Sequence, residues 1–165
     1  MNLQRIAKIL GNQKELVIRE VVLDTATKKG QIIHGARAYN IQSPTYLRKK
    51  TIDYDILTTK PKKSAQDVAK QLSRRLGREV KVVKGSHKGT YRVKVNGEVI
   101  ADYTQLKHKP KTKKVWGTQV KSIKSIKRSV QRLIKKKEAE FRREKDVSTL
   151  SRIQEIERLD KAFDF

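Results

Sequence analysis

The chain has 165 residues, with 41 Lys/Arg against 17 Asp/Glu for a formal net charge of +24, 36% hydrophobic residues and no cysteine. That is one domain's worth of core, and the lack of cysteine excludes disulfide scaffolds, thiol nucleophiles and cysteine-rich zinc sites. No apolar run approaches the ~20 residues of a membrane span and charge appears by Arg5, so the expectation is a cytoplasmic, intracellular protein that does not enter a membrane.

In chain order, apolar residues at Leu3, Ile6, Ile9 and Leu10, then at Leu16, Val17, Val21 and Val22, predict a helix from Leu3 to about Thr27, with Gly11 as the point where it can break. Lys28-Lys29-Gly30 closes it with cations and a glycine. Gln31–His34 reads as a short strand, Gly35 follows, and Ala36–Ile41 reads as a short helix that Ser43-Pro44-Thr45 breaks. A basic loop, Tyr46–Lys50, leads to a second strand, Ile52–Leu57, which Pro61 stops. Ser64, with Asp67 three residues on, predicts the cap of a helix carrying Ala65, Val68, Ala69, Leu72 and Leu76 on one face and ending at Gly77. Three strands follow, at about 79–84, 89–95 and 98–104; Gly85–Gly89 turns around His87, and Asn96-Gly97 is a two-residue hairpin signal.

The rest is read as a basic linker, 107–117, and two helices. The first, from about Thr118 to Glu144, carries Val120, Ile123, Val130, Leu133, Ile134 and Phe141 at helical spacing. The second, about Val147 to Ala162, has Val147, Leu150, Ile153, Ile156 and Leu159 at every third position, a seam for packing or for pairing chains into a homo-oligomer. The expected fold class is α+β: a small mixed or antiparallel sheet flanked by helices over 1–106, then a linker at 107–117 and a helical extension at 118–165. No internal repeat is visible.

The charge is unevenly placed. Residues 107–146 hold 16 Lys/Arg against 4 Asp/Glu, half of the net excess in a quarter of the chain. Self-repulsion at this density invites a polyanion. Nucleic acid, RNA or DNA, is the first candidate, ahead of an anionic membrane surface or a lysine-rich adaptation to heat or salt. Lys121, Lys124, Arg128, Arg132, Lys135, Lys136 and Lys137 would track phosphates along the first C-terminal helix, and Tyr39, Tyr46, Tyr103 and Trp116 are candidates for base stacking as well as for packing.

Three carboxylates stand out against this basic background. Asp53 and Asp55 lie two apart on a predicted strand, so both side chains share a face with Tyr54 opposite. Asp102 sits in the apolar run Val99-Ile100-Ala101-Asp102-Tyr103, a poor place for an aspartate unless it does something besides pack. Nucleotidyl transfer uses two Mg²⁺ (or Mn²⁺) ions, and three carboxylates are about the minimum that holds both. Gly35, between strand and helix, lets backbone approach a phosphate at the following helix start.

Gly35-Ala36-Arg37-Ala38-Tyr39-Asn40, then Asp53-Tyr54-Asp55-Ile56, then Ile100-Ala101-Asp102-Tyr103, together resemble the DNA polymerase beta-like nucleotidyltransferase superfamily. The stretch from Pro44 through Asp55 is similar to its poly(A) polymerase-like branch in large DNA viruses and mobile elements. Arg142-Arg143-Glu144-Lys145-Asp146 resembles a basic-acidic motif on a late helix of several branches. The resemblance implies that Asp53 and Asp55 bind the metals and that Asp102 helps activate the incoming hydroxyl. It implies that Gly35, Ala36 and Arg37 hold the nucleoside triphosphate. Where the family has Gly or Ser after the glycine, this chain has Ala36, which offers phosphate a backbone N–H and no hydroxyl. His34 stands where an apolar residue is usual.

The expected activity is therefore metal-dependent transfer of a nucleoside monophosphate from a nucleoside triphosphate to a nucleic-acid acceptor, with an RNA or tRNA 3′ end favoured. A toxin-like transferase would share the site. The alternative is a non-catalytic nucleic-acid-binding protein of a virus or plasmid on the same scaffold.

Overall fold

The structure, a computed structural model, describes residues 3–163, with side chains from residue 11 onward. The first half of the predicted apolar stripe, Leu3, Ile6, Ile9 and Leu10, falls outside the described side chains.

Helix α1 (Leu3–Lys28) continues through Gly11 without a break. Its later stripe, Ile18, Val21, Val22 and Ala26, is buried. The chain then runs β1 (Ile32–His34), α2 (Gly35–Ile41), a 3-10 turn (Thr45–Leu47), β2 (Tyr54–Thr58), α3 (Pro61–Leu76), β3 (Val80–Lys84), β4 (Thr90–Val95) and β5 (Glu98–Gln105). It ends with β6 (Thr112–Val115), β7 (Thr118–Lys121), α4 (Ile123–Ile134), a second 3-10 segment (Lys137–Arg142) and α5 (Arg143–Phe163). The strands form one sheet in the order β3-β4-β5-β2-β1-β7-β6. The pairs β2–β5 and β1–β7 are parallel and the others antiparallel, so the sheet is mixed.

Helix α3 packs over β3, β4 and β5 and against α1, while α2 packs on β1 and β2 beside α4. The core joins Val68 and Leu72 of α3 to Val93, Val95 and Tyr103 of the sheet, and Ile33 and Ile56 to Tyr39 of α2. Burying each such aliphatic side chain contributes about 1.5–3 kcal/mol.

Four expectations are corrected. Ser64 does not cap α3. Pro61 takes the first helical position, where its fixed φ is suited and its missing N–H costs nothing, so the helix starts a turn earlier. Ser64 is then buried inside the helix, its Oγ accepting from Gln31 Nε2 at 2.9 Å, and Asp67 pairs with Lys29 at 2.8 Å instead of closing a capping box.

Residues 112–121, read as linker end and helix start, form the β6–β7 hairpin on the sheet edge. Val115, Thr118 and Val120 follow a strand's alternation around the turn Trp116-Gly117, and α4 begins only after Ser122, whose Oγ accepts from Ser125 N. Lys121 accordingly lies on a strand and not on a helix.

The helix expected to reach Glu144 ends at Ile134. Lys136 takes extended backbone and a 3-10 segment follows, which buries Ala139 and leaves Phe141 exposed rather than in an apolar stripe. Of the later stripe, Ile153 and Ile156 are buried against the rest of the chain, and Lys127 of α4 pairs with Glu157 of α5 at 2.8 Å. Val147, at the head of that stripe, is exposed. Finally, Asp53 precedes β2 rather than lying within it.

Candidate active site

The parallel pairing of β2 with β5 sets Asp55 directly beside Asp102, and the antiparallel pairing of β1 with β2 sets His34 beside Asp55. Asp53 enters from the bend just before β2. One oxygen from each of Asp53, Asp55 and Asp102 lies within 4.8 Å of the others, and all three are partly exposed. The carboxylates open into a cleft of about 660 Å³ whose other lining includes Gly35, Ala36, Lys49, Arg92, Lys145 and Asp146.

The crowding has an electrostatic signature. Burial, and then the charges of Asp53 and Asp102, push the Asp55 carboxyl up to about 6. In a chain of net charge +24, three acids have converged to the point of repelling one another. Hard oxygen donors at this spacing fit a divalent cation of the magnesium type.

Gly35 is required where it stands. Its φ is +66°, in the left-handed region, and a Cβ would collide with the Asp55 carboxylate, whose Cγ would lie 3.0 Å away. The turn therefore brings backbone onto the carboxylate. Gly35 and Ala36 open α2 and line the cleft.

Arg37 does not face the cleft. Its guanidinium stacks 4.3 Å over the Tyr54 ring and donates to the carbonyl oxygens of Asp53 and Ile52, both at 3.2 Å. It clamps the backbone that carries Asp53. His34 is half-buried, and desolvation pushes its imidazole down to about 4 with help from the Lys121 charge; its Nε2 has no hydrogen-bond partner among the described residues.

Arg92 carries no spacing signal in the sequence, whereas Arg142 and Asp146 belong to the basic-acidic motif noted above. Arg92 of β4 stands cross-strand from Asp102 and donates from Nε at 3.0 Å to one carboxylate oxygen and from Nη2 at 3.1 Å to the other. The opposite wall comes from α5. There Asp146, 2% exposed, takes a two-point contact from Arg142 at 2.9 and 3.0 Å. Lys49 donates to Thr149 Oγ1, and Arg152 donates to the carbonyl oxygens of Leu47 and Arg48, which ties the 44–50 loop to α5. Burial, and then the charges of Lys145 and Arg152, hold the Lys49 ammonium below its ordinary range.

Among the basic residues expected to meet nucleic acid, Lys124, Arg128, Arg132, Lys135, Lys136 and Lys137 are exposed. Lys121 is half-buried and donates to Ser129 Oγ at 2.8 Å. Of the stacking candidates, Tyr39 and Tyr103 are core residues, whereas Tyr46 and Trp116 are exposed.

Residues 20–138, well over half of the chain, match the family described as the poly(A) polymerase catalytic subunit. No curated protein matches the sequence. Among solved structures, the crystal structure of the Megavirus polyadenylate synthase is similar over 86% of this chain with a TM-score of 0.74, at 20% identity. The chain spans 31% of the length of that protein. At that identity the likeness speaks for the fold, a nucleotidyltransferase-like sheet with its flanking helices. The family match places the chain in the poly(A) polymerase catalytic-subunit family, and the shared fold agrees with it.

Proposed function

We propose that the protein is a divalent-metal-dependent nucleotidyltransferase that adds nucleoside monophosphate from a nucleoside triphosphate to an RNA 3′ end. The observation that carries this reading is the convergence of Asp53, Asp55 and Asp102 within 4.8 Å beside the Gly35 turn. Family membership supports it, and so does the neighbour described as a polyadenylate synthase.

Asp53, Asp55 and Asp102 would hold magnesium or manganese, which supplies Lewis acidity at the attacking hydroxyl and at the leaving pyrophosphate. The chain's own groups do the rest. Gly35 and Ala36 bring backbone to the triphosphate, with the free N–H groups of the first helical turn nearby. Lys49 and Lys145 on the facing wall offset phosphate charge. Asp102, oriented by Arg92, accepts the proton of the 3′-hydroxyl as its oxygen bonds to the α-phosphorus; the bond to the β-phosphate oxygen breaks and pyrophosphate leaves. Arg37 keeps the Asp53 backbone in place.

The test is incubation with labelled triphosphates, Mg²⁺ or Mn²⁺, and single-stranded RNA. Incorporation that disappears in Asp53→Ala supports transfer. A second reading, a nucleic-acid-binding protein without activity, is favoured by two features: Arg92 engages both oxygens of Asp102, and Ala36 lacks the hydroxyl that would contact phosphate. RNA binding that survives Asp53→Ala, with no incorporation by the wild type, would select it.

A further inference from the structure

The β6–β7 turn is built from residues that local physics disfavours. Val115 pairs with Thr118, leaving Trp116 and Gly117 as a two-residue turn with φ of +48° and +81°. The other two-residue turn in the sheet uses Asn96-Gly97 with nearly the same angles, +51° and +79°. Asn-Gly is the ordinary solution for such a turn, and a bulky side chain at positive φ is strained. The strained residue is also 88% exposed, so packing does not explain it. Strain without a packing reason, at an exposed position, is a mark of function.

The hairpin is anchored. Thr118 Oγ1 shares a hydrogen bond of 2.6 Å with Thr27 Oγ1 of α1, and Thr112 Oγ1 donates to Gln119 Oε1 at 2.7 Å. Trp116 therefore projects from a fixed element. Lys113 and Lys114 are exposed just before it. At its foot lies a groove of about 610 Å³ lined by Arg19, Arg48, Lys49, Lys50 and Thr51 among others. Lys49, Lys50 and Thr51 also line the carboxylate cleft, so the two concavities share a wall.

We propose that Trp116 is a base-stacking platform for single-stranded RNA, which passes from the hairpin along Arg19, Arg48 and Lys50 toward the aspartates. That this strand is the acceptor of transfer rests on the function proposed above; the stacking site itself does not. A lone exposed indole among cations suits a strand with π-faces and phosphates, because stacking supplies sequence-tolerant affinity and the lysines meet the backbone. An apolar protein partner could also meet Leu23, Ile41, Val115 and Val120 of the groove wall, but the cations Lys113, Lys114, Arg19, Arg48 and Lys50 around the ring favour a phosphate-bearing strand.

Trp116 is the sole tryptophan of the chain, so its emission reports the site directly. The 165-residue protein, without nucleotide or divalent ion, is titrated with an end-labelled 15-nucleotide oligoadenylate at low salt while label anisotropy and tryptophan emission are followed together. The expected result is saturable quenching that tracks anisotropy. Trp116→Ala should weaken binding roughly 5- to 100-fold, Trp116→Phe should retain most of the affinity, and duplex RNA should quench little. If the wild type shows this quenching but incorporates no nucleotide, the enzyme reading fails and the platform stands. Three outcomes would overturn the platform: RNA that binds without changing emission and binds Trp116→Ala equally well, no binding at low salt, or an emission shift seen with phosphatidylglycerol vesicles and not with RNA.

Discussion

The cleft holds aspartates on two walls, and they are in opposite condition. On the α5 wall Asp146 is almost wholly buried, yet two guanidinium contacts from Arg142 satisfy it. On the sheet wall Asp53, Asp55 and Asp102 crowd together; Arg92 answers Asp102, but Asp55 has no ion pair among the described residues and is pushed up to about 6 by burial and by its neighbours' charges. Depth of burial does not separate the two cases; partnership does. Asp146 is answered by a residue four positions away, whereas Asp55 keeps a repulsion that a bound cation would relieve.

The largest effect should come from removing one crowded acid. Asp53→Asn is expected to lower nucleotide incorporation by about 10³-fold or more, roughly 4 kcal/mol of transition-state stabilisation, while leaving thermal stability unchanged or slightly raised; radiolabel incorporation and a melting curve on the same preparation check both halves. A large fall in melting temperature would erase the contrast between the walls. Next is the satisfied acid. Arg142→Leu strands Asp146 without its partner and should destabilise the fold by about 3 kcal/mol, a drop of roughly 6 to 12 °C. Asp146→Asn should cost less, since Arg142 is partly exposed and can rehydrate.

Divalent ions should act on one wall only. Mg²⁺ or Mn²⁺ at about a hundred times its dissociation constant should stabilise the wild type by about 2.7 kcal/mol, read as a thermal shift that vanishes in Asp53→Asn and persists in Asp146→Asn. Gly35→Ala comes next. Positive φ and the collision with Asp55 should cost about 2 kcal/mol in a urea titration, with incorporation falling because the carboxylate must move. The smallest effect belongs to the hairpin: Trp116→Asn restores the favoured turn pair and should stabilise the protein by about 1 kcal/mol. A stabilising change at a position that binds RNA would separate the two uses of the turn.

Local pattern made much of this legible. The face of α3 and its glycine stop, and the Asn96-Gly97 hairpin with its flanking strands, follow from periodicity and turn chemistry. The three aspartates and Gly35 stood out because their residue types disagree with their surroundings. Arg92 did not. Counting back from the Asn96-Gly97 turn sets Arg92 opposite Ala101, and a bulge between Val93 and Lys94 shifts the pairing by one residue onto Asp102. The Trp116-Gly117 hairpin was hidden for a related reason, since a tryptophan at positive φ breaks the rule by which turns are read.

The amino-acid order by itself determined α3 and the Asn96-Gly97 hairpin, though not the span from Val120 to Phe141, where helical spacing runs across a strand and a 3-10 segment, and it marked which acids and glycine are out of place in an otherwise basic chain. Tertiary structure alone decided that Arg92 answers Asp102 and that α5 closes over the 44–50 loop through Arg152 and Thr149. Periodicity is a property of neighbours along the chain and can be read there. Which charge meets which depends on register, bulges and helix docking between residues up to a hundred positions apart, and these are set by packing the whole core at once.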